Sequence, residues 1–212
     1  MKKLIHTCII LLGFPAFCMG QTTIESQVDH SMADGYSGSN SYGGNRTSTV
    51  LYFNDNGSGN LYSYQLFENI LIPNNATILS ASMRVDIDSS SYSNLATVIS
   101  AEDVDNATDL SDGNTELWNR KSIPIDYHYT SIGMGSGYRW LTGLEPILQA
   151  KVSRPGWSLG NNIGIMTKDI QSGYNLRFRT YNYNPENASI LSIQYYESTP
   201  TPTTIPTATP TP

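Results

Sequence analysis

Cysteine is nearly absent: the 212-residue chain holds two, Cys8 and Cys18, both among its first twenty residues. Residues 1–20 read as a secretory leader, with Lys2 and Lys3 at the start, an apolar segment from Leu4 to Phe17 and a cut after Gly20. An uncleaved anchor helix is the alternative, but the apolar run is short for a span. Phe17 is bulky where a lipobox carries a small residue, which argues against lipidation at Cys18. Cleavage removes both thiols, so the mature chain is expected to use neither disulfides nor thiol chemistry.

Charge is scarce as well, at 14% of residues. Coiled coils and charged disordered tails need more. Without Lys2 and Lys3, ten basic residues face eighteen acidic ones, a net charge of −8. That sign opposes general binding to nucleic acid or to an anionic membrane. No apolar run of about 20 residues follows the leader, so no integral membrane segment is expected after cleavage. Histidine is reduced to His30 and His128, and no G-x-S-x-G elbow occurs. Zinc needs three or four suitable side chains, and nucleophilic hydrolysis needs an activated Ser or Cys. Neither finds its residues.

What the chain has in quantity is Asn, Gly, Ser, Thr and Tyr, arranged as short alternating runs between turns. In Ile78–Asp88, Leu79, Ala81, Met83, Val85 and Ile87 fall on one face, with Ser80, Ser82, Arg84, Asp86 and Asp88 on the other. Such alternation predicts a strand with a dry and a wet side. Shorter runs at Thr49–Phe53, Tyr62–Ile70, Leu95–Ala101, Asn162–Thr167, Leu176–Tyr181 and Ser189–Tyr196 read as further strands. Asn56-Gly57, Pro73-Asn74-Asn75 and Asp112-Gly113 supply turn chemistry. Leu144, Ile147, Leu148 and Val152 recur at helical spacing before Pro155-Gly156. The expected fold is all-β: a two-sheet antiparallel, jelly-roll-like sandwich with one short helix near 144–153. Thr199–Pro212 carries five prolines among threonines and reads as an extended linker or stalk, leaving residues 21–198 as one module. The linker implies a further domain beyond it or a stalk end.

Two stretches carry a resemblance. Ile72–Val85 (IPNNATILSASMRV) and Arg154–Ile165 (RPGWSLGNNIGI) are similar to segments of DNRLRE-type domains, secreted β-sandwich modules related to carbohydrate-binding modules. The similarity runs roughly from Tyr62 to Tyr196, with Ile190–Tyr196 as a final strand. It implies a non-catalytic, secreted, extracellular or cell-surface module of bacterial type, some relatives of which bind polysaccharides such as alginate.

The residues allow several site readings. Arg177, Arg179, Tyr181 and Tyr183 alternate with Leu176, Phe178 and Thr180, and an extended strand would set them in an outward row. Tyr rings stack on sugar faces and guanidinium groups suit carboxylates, so this row is the candidate glycan site. An ordinary solvated strand is the plainer reading. Glu102 to Glu116 holds six acids without Lys or Arg; Asp103, Asp105 and Asp109 are the candidate ligands for Ca²⁺, against a solvated acidic loop. Glu102, Glu116 and Glu145 are the acids available for glycoside hydrolysis, with nothing in their spacing to set them apart. Trp157 reads as a core plug, Trp140 is open between core and surface, and Trp118 lies in a polar stretch. The leading expectation is a non-catalytic module that binds polysaccharide or a cell-surface glycan. A structural or adhesive spacer, Ca²⁺-stiffened or not, stands second and a divergent carbohydrate-active enzyme third.

Overall fold

The computed structural model describes residues 5–7, 20–38, 47–52, 61–90, 97–110, 116–120, 122–125, 127–129, 135–169 and 176–197. The Thr/Pro segment, most of the leader, the Asn56-Gly57 and Asp112-Gly113 turns and the side chains of Glu116, Trp118 and His128 lie outside the described residues.

Among the described residues, twelve strands form two antiparallel sheets: β1 (Ile5–Thr7), β2 (Gln21–Gln27), β3 (Asp34–Gly38), β4 (Val50–Tyr52), β5 (Leu61–Phe67), β6 (Thr77–Ser90), β7 (Thr97–Ala101), β8 (Tyr127–Tyr129), β9 (Gly137–Thr142), β10 (Ile163–Asp169), β11 (Leu176–Arg179) and β12 (Ile190–Tyr196). Two helices accompany them, α1 (Glu116–Asn119) and α2 (Glu145–Val152), with a 3-10 turn at Pro185–Asn187. The all-β sandwich expected from alternation is the observed architecture. No helix among the described residues is long and apolar enough to cross a membrane.

The first sheet is organised around the long strand β6. β12 pairs with its first half, and β11 pairs with its second half in the same direction. Both lie on the side of β6 opposite β9, because Arg84 pairs with Ile190 and Trp140 at once, and Ile87 with Phe178 and Gly137. Residues 176–196 are therefore one line of strand along β6, interrupted by an excursion over residues 180–189. Beyond that line stand β2 beside β12 and β4 beside β11, while β1 adds three pairs to β2. The second sheet runs β3-β5-β10-β7-β8.

Alternation places Ala81, Met83, Val85 and Ile87 inward, opposite Leu191, Ile193, Leu141 and Phe178, all at most 2% exposed. The second sheet answers with Phe67, Ile99, Ile163 and Ile165, each buried. One expected inward residue differs. Leu79 is exposed and Ile78 takes its place in the core, because the pairing of β6 with β12 shifts at Gln194/Tyr195. A bulge inverts the faces on one side of it.

Helix α2 stands against that irregularity. Glu145 Oε1 accepts the Ala81 N–H at 3.0 Å. Four residues on, and hence on the same helix face, Gln149 accepts the Ile78 N–H at 2.9 Å and donates to the Ala76 carbonyl at 3.0 Å. Ile147, Leu148 and Val152 close the core end with Trp157, which is buried and donates its indole N–H to the Ile72 carbonyl at 2.9 Å. At Gly156, just before Trp157, a Cβ would lie 1.9 Å from Asp105 Oδ2, so a larger residue would have to displace that carboxylate.

Candidate functional site

The two sheets differ in what covers their outer faces. On the second sheet, Tyr64 and Leu66 point outward yet are buried. The Arg120 guanidinium lies 4.6 Å from the Tyr64 ring centre, and the Tyr64 hydroxyl donates to Glu102 Oε2 and to the Thr108 carbonyl, each at 3.0 Å. Burial and the neighbouring Glu102 carboxylate together hold the Tyr64 phenol above its ordinary range. Arg120 also binds Glu102 Oε2 at 3.1 Å. Glu102 is thus a buried strut, and Glu145 serves as a backbone acceptor; the third acid considered for hydrolysis, Glu116, has its side chain outside the described residues.

On the first sheet, cross-strand pairs lie side by side on one face, and the register lays out a floor of small polar side chains. Glu25, Ser192, Ser82 and Thr142 form one row across β2, β12, β6 and β9. Beside it run Thr23, Gln194 and Ser80 on the first three of these strands, with Ser80 Oγ donating to Gln194 Oε1 at 3.0 Å. Along β9 the aromatic pair Tyr138 and Trp140 is 49% and 45% exposed. Alternate residues of a strand repeat at roughly 6.5–7 Å on one face.

A ridge borders this floor, made by the 180–189 excursion. Its 3-10 turn is tied down by Gln27 Nε2 to the Pro185 carbonyl at 2.9 Å and by Arg84 Nη2 to the Glu186 carbonyl at 3.2 Å. Asn187 Nδ2 donates to Asp86 Oδ2. The Arg84 guanidinium sits 4.4 Å from the Tyr138 ring centre, which fixes that ring upright beside the floor. Trp140 extends past it.

The four residues of the expected binding row separate here. Arg177 and Arg179 do face outward, but Arg179 binds Asp86 at 3.0 Å and Asp88 at 3.4 Å, and Arg177 binds Asp88 at 3.3 Å. Strand β11 ends at Arg179, so the two-residue repeat stops there. Tyr183 folds back with its ring 4.8 Å from the Arg179 guanidinium. Tyr181 packs partly against the core, and its N–H is bound by Asp34 Oδ2 at 2.9 Å. Asn182 and Asn184, set among Tyr residues in the sequence, mark the turn that breaks the row.

The three residues chosen for Ca²⁺ do not converge either. Asp103 binds Arg154 Nη1, and Asp105 binds Arg154 Nε at 2.7 Å. Lys151, buried in α2, donates to the carbonyls of Glu102 and Val104. One cation from α2 and one from just after it thus hold the acidic loop, although none lies within the loop's own sequence. Burial lowers the Lys151 ammonium to about 8.

Asp109 lies elsewhere, with Oδ1 3.3 Å from His30 Nε2. Glu68 and Asp29 approach the same nitrogen at 3.6 and 3.9 Å. Asp29, His30 and Glu68 bring possible ligand atoms within 4.8 Å of one another. His30 Nδ1 accepts the Met32 N–H at 3.2 Å, so the ring proton of the neutral imidazole sits on Nε2, toward the carboxylates. That tautomer makes His30 a donor rather than a metal ligand, and leaves any cation chemistry here to carboxylate oxygens. The sequence separates these residues by up to eighty positions, so no local spacing announced the cluster.

Next to it lies a cleft of about 220 Å³ lined by Glu25, Gln27, Val28, Asp29, Tyr181, Pro185 and Ile190. It opens where β2 ends, under the start of the excursion. No family model matches the chain, and no curated protein matches it.

Proposed function

We propose that the chain is a non-catalytic extracellular module that binds polysaccharide on the uncovered face of its first sheet. The observation that carries this reading is the exposed pair Tyr138 and Trp140, held beside a floor of Ser82, Ser192, Ser80 and Gln194. Sugar rings present apolar faces and equatorial hydroxyls. An aromatic edge with a hydroxyl- and amide-rich floor offers a partner to each. The resemblance of Ile72–Val85 and Arg154–Ile165 to DNRLRE-type domains supports the same class; the first stretch contributes Ser80 and Ser82 to this face, and the second builds the α2 corner.

Arg177 and Arg179 support the face rather than act as its anchors, because Asp86 and Asp88 already occupy their guanidinium groups. Recognition then rests on stacking and hydroxyl contacts, which suits neutral sugar units along the floor.

Affinity electrophoresis through gels containing neutral and uronic-acid polysaccharides tests the reading. At least one neutral polymer should retard the protein. Trp140→Ala should weaken that retardation at least tenfold, about 1.4 kcal/mol, and Tyr138→Ala should weaken it less. Neither should shift the melting temperature by more than a degree or two, since both side chains are exposed. Uniform mobility across a broad panel would reject the proposal.

A further inference from the structure

We infer that the cleft at the end of β2 is a second subsite of the same binding face, and that it takes a sugar unit carrying an ammonium group. This rests on the polysaccharide reading above. The row Glu25–Ser192–Ser82–Thr142 crosses four adjacent strands without a break. Three strand spacings amount to roughly 15 Å, the reach of a short oligosaccharide. One end of the row reaches Trp140, the neighbour of Thr142 along the face. The other end is Glu25, which lines the cleft. A chain laid across the strands therefore meets the aromatic platform, then the serine floor, then the cleft.

The lining of the cleft sets its chemistry. Glu25 and Asp29 present carboxylates, Gln27 contributes an amide, and Val28, Pro185 and Ile190 supply apolar walls with Tyr181. Among the described residues, no Lys or Arg lines it. Its volume of about 220 Å³ suits a single monosaccharide unit. Glu68 and Asp109 stand behind Asp29 around His30, adding negative field at that end. Carboxylate residues lining a cleft together with an aromatic side chain favour a cation over a neutral hydroxyl or acetamide. Farther along the face this property is lost: there Arg177 and Arg179 pair with Asp86 and Asp88. Ammonium recognition is thus confined to one end of the track.

Isothermal titration of the full chain with glucosamine oligomers and with their N-acetylated counterparts, from two to six units, tests the inference. The expected result is a preference of at least tenfold for the amino form. Affinity should rise with length until the oligomer spans the row, and then level off. The double variant Glu25→Gln, Asp29→Asn should erase the preference while keeping Trp140-dependent affinity for the acetylated oligomers. Glu197→Gln, which removes one carboxylate away from the cleft, should leave the preference intact. Equal affinity for the two series, or a preference that survives the double variant, overturns the cleft assignment and leaves the platform standing. If neither series binds and no neutral polymer retards the protein, the polysaccharide reading fails and this one with it.

Discussion

Asp34 is an ionisable group on the inward face of the second sheet, 2% exposed, where burial lifts its carboxyl to about 7 against the opposing Tyr181 N–H. Among the described residues its Oδ1 has no partner, and neither does Oε1 of Gln65, its register partner across β3 and β5. Two acceptors side by side lack a donor, and a proton on Asp34 supplies one. The folded state therefore keeps a proton that the unfolded chain gives up near pH 4. Folding stability should fall as pH rises from about 4 to about 7, by up to about 4 kcal/mol for a shift of roughly three units, and then flatten. Asp34→Asn carries its own donor and should remove that slope and raise stability at pH 8; urea melts across pH 4–8 measure both. Arg179 behaves differently. Asp86 is 2% exposed and leans on it, so Arg179→Ala strands a buried carboxylate and should cost about 3 kcal/mol in the same melts. A side chain that alternation marks as a surface anchor is in fact part of the scaffold.

At the scale of elements, periodicity was a sound guide wherever the pairing stayed regular. The runs around β4, β5, β6, β7, β10, β11 and β12 are strands within a few residues of their expected bounds, and α2 occupies 145–152 of the expected 144–153. Trp157 plugs the core because a Pro-Gly turn after α2 leaves the next aromatic no other place to go. Three things were not legible. The bulge opposite Gln194/Tyr195 gives no local sign in Thr77–Leu79, since each residue there tolerates either face. The end of β11 at Arg179 depends on Asp34, which reaches the Tyr181 N–H from 147 positions away. The pairing of the acidic loop depends on Arg154, one turn beyond α2, whose side chain meets Asp103 and Asp105 only because α2 lies beside β7. Binding row and metal trio were both drawn from neighbours in sequence, and long-range partners dissolved both. Trp140 and Tyr138 form the proposed site because β9 borders β6 with one exposed face, which the sheet order sets.

Over the whole molecule, the decisive feature is asymmetry. The loop carrying Glu102, Thr108 and Arg120 seals the outside of one sheet over Tyr64, whereas the outside of the other shows Ser, Thr, Gln and two large aromatics. Negative charge gathers at one end of that face, around Glu25, Asp29, Glu68 and Asp109, and arginines at the other. On the proposed reading, the face meets its ligand with a direction. The excursion that roofs the cleft has one more property. Thr180 lies inward, as Val85 does, and Ile190 lies outward beside Arg84, so both sides of the interruption keep the same parity along β6. Joining residue 180 directly to residue 190 would continue the strand without a slip. A variant lacking residues 181–189 should fold, keep Trp140-dependent binding and lose any preference for amino sugars, as calorimetry with the two oligomer series would show. The roof is thus an insert that the strand beneath it does not need in order to stay in register.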